Sequence, residues 1–308
     1  MADDAIRVFF DHLLRLSKRP VEKLDIFLCS NGGSATVPWR LVSLFREYAK
    51  SFSVIVPYRA YSAATMLALG ADEIVMHPFG ELGPIDPTVS NEFNPQEQGT
   101  GRRLGISVED VKAYVTFIKS TVGITHEDEL IEAIKILADK VHPLALGNVE
   151  RFLSQSRMMG RKIMRTHMAE AEEHTINDII ENLASKLYFH GHPINRREAK
   201  EELRLKVRDD LEAELETAIW DLYLLYEQEF RNRESFNPAG DLANARAQNP
   251  PGTPAVMEYE LLHAMVESAQ LSNWFTTRRR FSEVAIPPHP LPQIKEDLLA
   301  QGWKSESA

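Results

Sequence analysis

Short apolar runs alternate with helical apolar stripes through the first 76 residues. Ile6, Phe9, Phe10, Leu13 and Leu14 recur every three to four positions, which predicts an amphipathic helix over 3–17. The run 24–29 (LDIFLC) is apolar without clean alternation, the pattern of a buried parallel strand. Asn31, Gly32 and Gly33 then signal a turn. Thr36 can cap a second helix, with Pro38 in its first turn and Val42, Phe45 and Ala49 on its inner face. Residues 53–56 predict a second strand, 62–69 a short helix of Ala, Met and Leu ending at Gly70, and 73–76 a third strand. Strand–helix–strand–helix–strand in that order implies βαβ units, a parallel sheet and right-handed crossovers. The expected fold class is therefore α/β.

Beyond the third strand the pattern changes. Residues 80–87 (GELGPIDP) are turn-rich, and 91–105 read as a polar surface loop. Helices are predicted over 107–122, 126–140, 145–170, 174–186, 196–203 and 208–232, so a large helical portion flanks the sheet. Residues 237–254 have linker composition, and 259–267 with 274–284 predict a terminal hairpin followed by a peripheral tail. This divides the chain into a core domain over 1–235 and, over 236–308, a linker, hairpin and tail packed on it.

Composition narrows the function classes. A chain of 308 residues can bury a sizeable core. Its net charge of −10 disfavours a phosphate-backbone partner, and Arg278–Arg280 reads as a solvated strand edge rather than a nucleic-acid patch. The single cysteine, Cys29, excludes an internal disulfide, and its place in an apolar run predicts a small core residue. No apolar run approaches the ~20 residues needed to span a bilayer, and the N-terminus lacks a signal-peptide pattern. The expected location is cytoplasmic.

The candidate chemistry lies in two stretches, 24–34 and 54–75. Acyl transfer by a serine needs a hydroxyl presented on a tight turn, backbone N–H groups aimed at the developing oxyanion, and a base. Ser62 stands at a strand-to-helix turn among Ala60, Ala63 and Ala64, where small side chains leave room for a strained backbone. The glycine pair lets the backbone at Gly33 turn its N–H outward, and Ala63 N–H would be the second donor. Two such donors contribute roughly 3–4 kcal/mol each to a transition state. Against this stand blander roles: Ser62 as a helix cap, Gly32-Gly33 as a plain turn, and His77 as structural. His190 and His192 lack neighbouring ligands at metal-site spacing, so no metal is expected. His167 and His174 read as solvated, and Trp220, Tyr223, Tyr226 and Phe230 as a packing or assembly face.

The segments SNGGS (30–34) and AYSAATMLALGADEIVMHPFGELGPIDP (60–87) together resemble the Clp/crotonase superfamily. The resemblance is closest to the serine dehydrogenase proteinase family, relatives of the signal peptide peptidases. Residues 142–162 and 189–207 resemble the long helix and the closing segment of the latter enzymes. The resemblance implies a Clp/crotonase-like fold, a serine peptidase acting through an acyl-enzyme, Ser62 as nucleophile, and Gly32 and Gly33 at the oxyanion site. It also implies a polypeptide substrate, a homo-oligomer and no cofactor. The histidine that the Clp proteolytic subunit carries after its serine has no counterpart at 84–87. Signal peptide peptidases place a lysine before the long helix, where this chain has Lys140 and His142, with Lys135 a turn earlier. The base is one of Lys140 and His142, or else Lys112, Lys119 or none. Two other functions fit the same fold: a non-catalytic assembly or regulatory protein, and an acyl-CoA enzyme of the crotonase branch.

Overall fold

The alternation of strands and helices is realised in the order the sequence implies. Helix α1 (Ala5–Leu14) is followed by strand β1 (Val21–Phe27), helix α2 (Val37–Tyr48), strand β2 (Ala49–Val56) and the short strand β3 (Arg59–Ala60). Helix α3 (Ala63–Ala68), strand β4 (Glu73–Met76) and strand β5 (Glu81–Leu82) come next. This computed structural model describes residues 1–86, 88–89, 92–97, 101, 103–169, 172–186, 191–250, 253–284 and 293–307. They form two compact units, one of residues 1–6 and 18–216, the other of 7–17 and 217–308.

The first unit is α/β. After a small antiparallel pair, β6 (Thr88–Val89) and β7 (Ile106–Ser107), it is largely helical: α4 (Val108–Thr116), α5 (Glu127–Lys140), α6 (Pro143–Met164) and α7 (Glu173–Glu181). Strand β8 (Ile194–Asn195), helix α8 (Arg196–Glu201) and strand β9 (Val207–Arg208) close it. The helix expected from 208 onward starts only at Ala213, because Val207 and Arg208 pair in parallel with β4. The parallel sheet runs β1-β2-β4-β9, with Ile26 beside Val54, Val54 beside Ile74 and Ile74 beside Val207.

Position in that sheet explains where the core lies. Central strand β2 buries Phe52, Val54 and Val56 completely, under Leu41, Val42 and Phe45 of α2. Strand β1 is at the edge, and its Glu22, Lys23 and Asp25 are exposed, so the run read as fully buried is only half so. Cys29, expected in the core, is exposed for the same reason. Thr36 stands at the N-cap of α2 but makes no side-chain cap bond; Pro38 in the first turn needs no hydrogen-bond partner for its nitrogen. Arg46 ties the end of α2 to Asp72 at 2.7 Å and to Gly70 O at 2.8 Å.

In the second unit, α9 (Ala213–Glu229, from Thr217 onward) and α10 (Pro238–Gln248) accompany an antiparallel meander of β10 (Val256–Ser268), β11 (Leu271–Val284) and β12 (Gln293–Ser307). Residues read as linker fold into α10 because Asn237 caps it, accepting a bond from Gly240 N at 3.1 Å, and Pro238 opens it. The residues read as a hairpin lie within β10 and β11, and the tail adds β12 along β11. Arg278–Arg280 is thus on the central strand, not on an edge. Arg278 and Arg280 share Glu258 and Arg279 pairs with Glu296, so two cross-strand carboxylates offset most of the charge of the run.

Candidate active site

The glycine pair and the serine turn meet because the chain beyond β1 pairs with β3. Ser30 N donates to Arg59 O at 2.9 Å, and Tyr61 N donates to Ser30 O at 3.0 Å. Gly32 follows two residues after Ser30, at φ +99°. A Cβ built on Gly32 would stand 2.7 Å from Tyr61 O, 2.9 Å from Ser62 Cβ and 3.2 Å from Ala63 N. No side chain fits there, so glycine is required twice over, by conformation and by space.

Ser62 has φ +53° and ψ −115°, a region that costs a non-glycine residue about 1–3 kcal/mol. It occupies the N-cap position of α3, yet its hydroxyl makes no cap bond and bonds to no other described residue. The blander reading of Ser62 as a helix cap therefore fails on geometry. The side chain is half-buried, between the fully buried Ala60 and Ala64. Backbone bonds hold the turn itself: Ala64 N donates to Tyr61 O at 2.9 Å, and Met66 N to Ser62 O at 3.0 Å.

Of the three residues expected at the oxyanion site, two keep free donors. Gly33 N–H and Ala63 N–H donate to no described residue. Gly32 N–H is already committed to Ser30 Oγ at 3.1 Å, so its part is close approach rather than donation. Gly33 lies at φ +144°, and its open side faces the backbone of Met1. The Met1 amine donates to Gly32 O, and Met1 O accepts Ser34 N–H at 2.9 Å. Met1 alone thus bridges Gly32 and Ser34, with its amine and its carbonyl.

Thr65 is the contributor that sequence reading passed over. It is fully buried, and its hydroxyl lies 2.7 Å from Ala60 O and 2.8 Å from Gly83 O while accepting Gly83 N–H at 3.0 Å. It ties β3, α3 and the turn after β5 into one block beneath Ser62. Its signal was present: a lone polar residue in a helix otherwise of Ala, Met and Leu. Tyr61, next to the serine, donates its hydroxyl to Glu81, and burial together with that carboxylate raises its pKa. Behind the block, Ser156 of α6 donates to Ile85 O at 2.6 Å, and Asp86 is buried. Pro87 lies outside the described residues.

The candidate bases stand on other elements. Lys140 is exposed in the last turn of α5. His142 is exposed at the N-cap of α6, where Nδ1 accepts Leu144 N–H at 3.2 Å and the ring stacks on Phe93 at 4.9 Å. Among the described residues neither hydrogen-bonds to Ser62. Lys135 is paired with Glu132 at 2.6 Å. His167, read as solvated, is instead half-buried, with Nε2 donating to Leu69 O at 2.8 Å, and burial lowers its pKa. His192 pairs with Glu198 at 2.8 Å; His190 lies outside the described residues.

Residues 11–97 match the family model described as ClpP-like SDH-type serine proteinase, a span that contains Gly32, Gly33, Ser62 and Ala63. Among curated proteins, the chain is 24% identical over 210 residues to the uncharacterized protein MJ0137 of Methanocaldococcus jannaschii, covering 68% of this chain and 60% of that one. It is 32% identical over 66 residues to the uncharacterized protein MJ1495 of the same organism, covering 21% of this chain and 23% of that one. The chain thus spans well under two thirds of the length of either relative. Among solved structures, a serine-to-alanine mutant of the 1510-N membrane-bound stomatin-specific protease aligns at 14% identity and a TM-score of 0.37, over 70% of this chain and 77% of that one. No helix among the described residues is long and apolar enough to cross a membrane.

Proposed function

We propose, from the match of residues 11–97 to the ClpP-like SDH-type serine proteinases, that the chain hydrolyses peptide bonds through an acyl-enzyme on Ser62. The observation that carries the proposal is the backbone of Ser62, held at φ +53° with its hydroxyl uncommitted at the start of α3. Strain of this kind presents the oxygen outward and persists only where the surroundings enforce it. Gly32 against the turn and Thr65 beneath it are those surroundings.

In the proposed reaction Ser62 Oγ attacks the scissile carbonyl carbon and gives its proton to the base. Gly33 N–H and Ala63 N–H hold the oxyanion. The C–N bond then breaks, the departing amine takes the proton, and water hydrolyses the ester by the same route. A polypeptide is the substrate we assign, since Gly32 O and Ser34 N–H already bond to backbone groups, those of Met1. We assign the base to the corner between α5 and α6, to His142 or Lys140. The catalytic domain is assigned to 1–235, working as a homo-oligomer in the cytoplasm.

A fluorophosphonate probe tests this directly. Wild-type protein is expected to be labelled and to cleave an unstructured polypeptide, and Ser62→Ala to do neither. Loss of the base, by His142→Ala or by Lys140→Ala, is expected to slow labelling. A folded wild-type protein that resists the probe would leave a non-catalytic assembly protein as the reading.

A further inference from the structure

We infer that helix α5 is a self-association surface, through which two copies of this chain pair antiparallel about a two-fold axis beside Ile131. The inference rests on the proposed homo-oligomer and specifies where its contact lies.

The helices between β7 and α6 carry apolar side chains that this chain leaves in water. In α5, Ala133 is buried and Leu130 and Leu137 are half-buried, which defines the face turned inward. Ile131 and Ile134, three positions apart on one side of the helix, are exposed by 51% and 45%, and Ile136, on the other flank of the inward face, by 62%. Phe117 and Val122, just before α5, are exposed by 52% and 50%. Isoleucine is β-branched and a poorer helix former than Ala, Glu or Lys, so local helix stability does not explain three of them at outward positions. Burying such side chains against a second apolar surface is favourable. Ile131 and Ile134 are the adjoining pair among these exposed side chains, and adjoining exposed apolar side chains mark an interaction site.

The charges around Ile131 point to a second copy as the occupant. Asp128 lies three positions before Ile131 and Lys135 four positions after it, so both flank it on the same side of the helix. A two-fold axis beside Ile131, between it and Glu132, sets each Asp128 opposite the Lys135 of the other copy, the self-complementarity that an isologous contact requires. Asp128 makes no ion pair among the described residues, and Lys135 is exposed and held only by Glu132 of its own helix. A lipid surface is the poorer fit, since the first turn of α5 is acidic (Glu127, Asp128, Glu129) and the chain carries −10 overall.

The test is sedimentation equilibrium of the full chain over a range of concentrations, with circular dichroism to verify that each variant is folded. Ile131→Asp is expected to weaken association by about 100-fold or more, because it buries two like charges at the axis. Asp128→Lys alone and Lys135→Asp alone are each expected to weaken it about 10-fold, and the double variant Asp128→Lys/Lys135→Asp to restore it. A wild-type oligomer whose mass ignores all four variants overturns this interface and leaves the oligomer standing. A wild-type protein that stays monomeric overturns both. Single swaps that weaken association without rescue in the double variant overturn the two-fold arrangement. Wild-type monomers that co-sediment with phosphatidylserine vesicles through Ile131 also overturn it, in favour of a lipid surface.

Discussion

Gly32 lies against Ser62 so closely that a methyl group on the glycine would stand 2.9 Å from the serine Cβ and 2.7 Å from Tyr61 O. Both neighbours belong to a turn fixed by backbone bonds, so neither can yield as a flexible side-chain tip would. Gly32 also sits at φ +99°, which an alanine adopts only under strain of about 1–3 kcal/mol. Gly32→Ala is therefore expected to displace the turn, slow fluorophosphonate labelling by about 100-fold, as an ångström-scale misplacement does, and lower the denaturant midpoint. Gly147, within α6, has nothing within 4 Å of its added Cβ. Gly147→Ala is the control: it should label at the wild-type rate and gain about 0.5–1 kcal/mol. Equal behaviour of the two variants would separate Gly32 from the site.

The backbone of Ser62 carries a second consequence. Alanine at position 62 keeps the strain of φ +53°, whereas glycine relieves it. Both variants remove the nucleophile, so they differ only in conformation and in the freedom of the unfolded chain. Relief of about 1–3 kcal/mol exceeds the roughly 0.5–1 kcal/mol that glycine's extra unfolded freedom costs. Ser62→Gly is expected to be the more stable of the two by about 1 kcal/mol in urea titrations. The opposite order would mean that the turn is not strained, and the argument for a presented hydroxyl would go with it.

How much of this was legible before the fold was known depends on the range of the interaction. The βαβ order, Ser62 at its turn and the glycine pair are local: each follows from a run, a breaker or a small-residue cluster. The edge position of β1 is not local. Leu24–Phe27 reads like a buried strand because apolar content does not reveal how many neighbours a strand has, and so Cys29 was expected in the core when it is exposed. Arg208 reads as the start of a helix because only two residues, Val207 and Arg208, join the sheet, too few to carry a period. Thr65 was missed because its partners, Ala60 O and Gly83 O, are backbone atoms, which leave no mark in the choice of side chains around it. The base is the least legible part, since lysine and histidine near α6 serve equally as a charged helix end and as a cap, the positions that Lys140 and His142 take.

His12 makes the second unit sensitive to acid. It is buried, with Nε2 3.0 Å from Asn273 Oδ1 and Nδ1 2.8 Å from Ser268 Oγ. Asn273 Oδ1 can only accept, so Nε2 carries the proton and Nδ1 accepts the Ser268 hydroxyl. Burial lowers the pKa of His12 below the ordinary value of 6.5, and Arg15 lowers it further. The Asn273 bond, the Val266 backbone and Asp11 act the other way without reversing the direction. The unfolded chain therefore takes up a proton at this site more readily than the folded one. The stability His12 contributes is full above the ordinary histidine value and is lost as pH falls through the lowered folded value. His77, His167 and His263 are lowered by burial too, so they add to the same slope. Unfolding midpoints in urea are expected to fall between pH 7.5 and pH 5. His12→Gln, which keeps a donor toward Asn273 but cannot take up a proton, should flatten part of that fall. A slope unchanged in His12→Gln would show that the His12–Asn273–Ser268 group does not govern it, and a midpoint that rises toward acid would contradict the sign for the whole set.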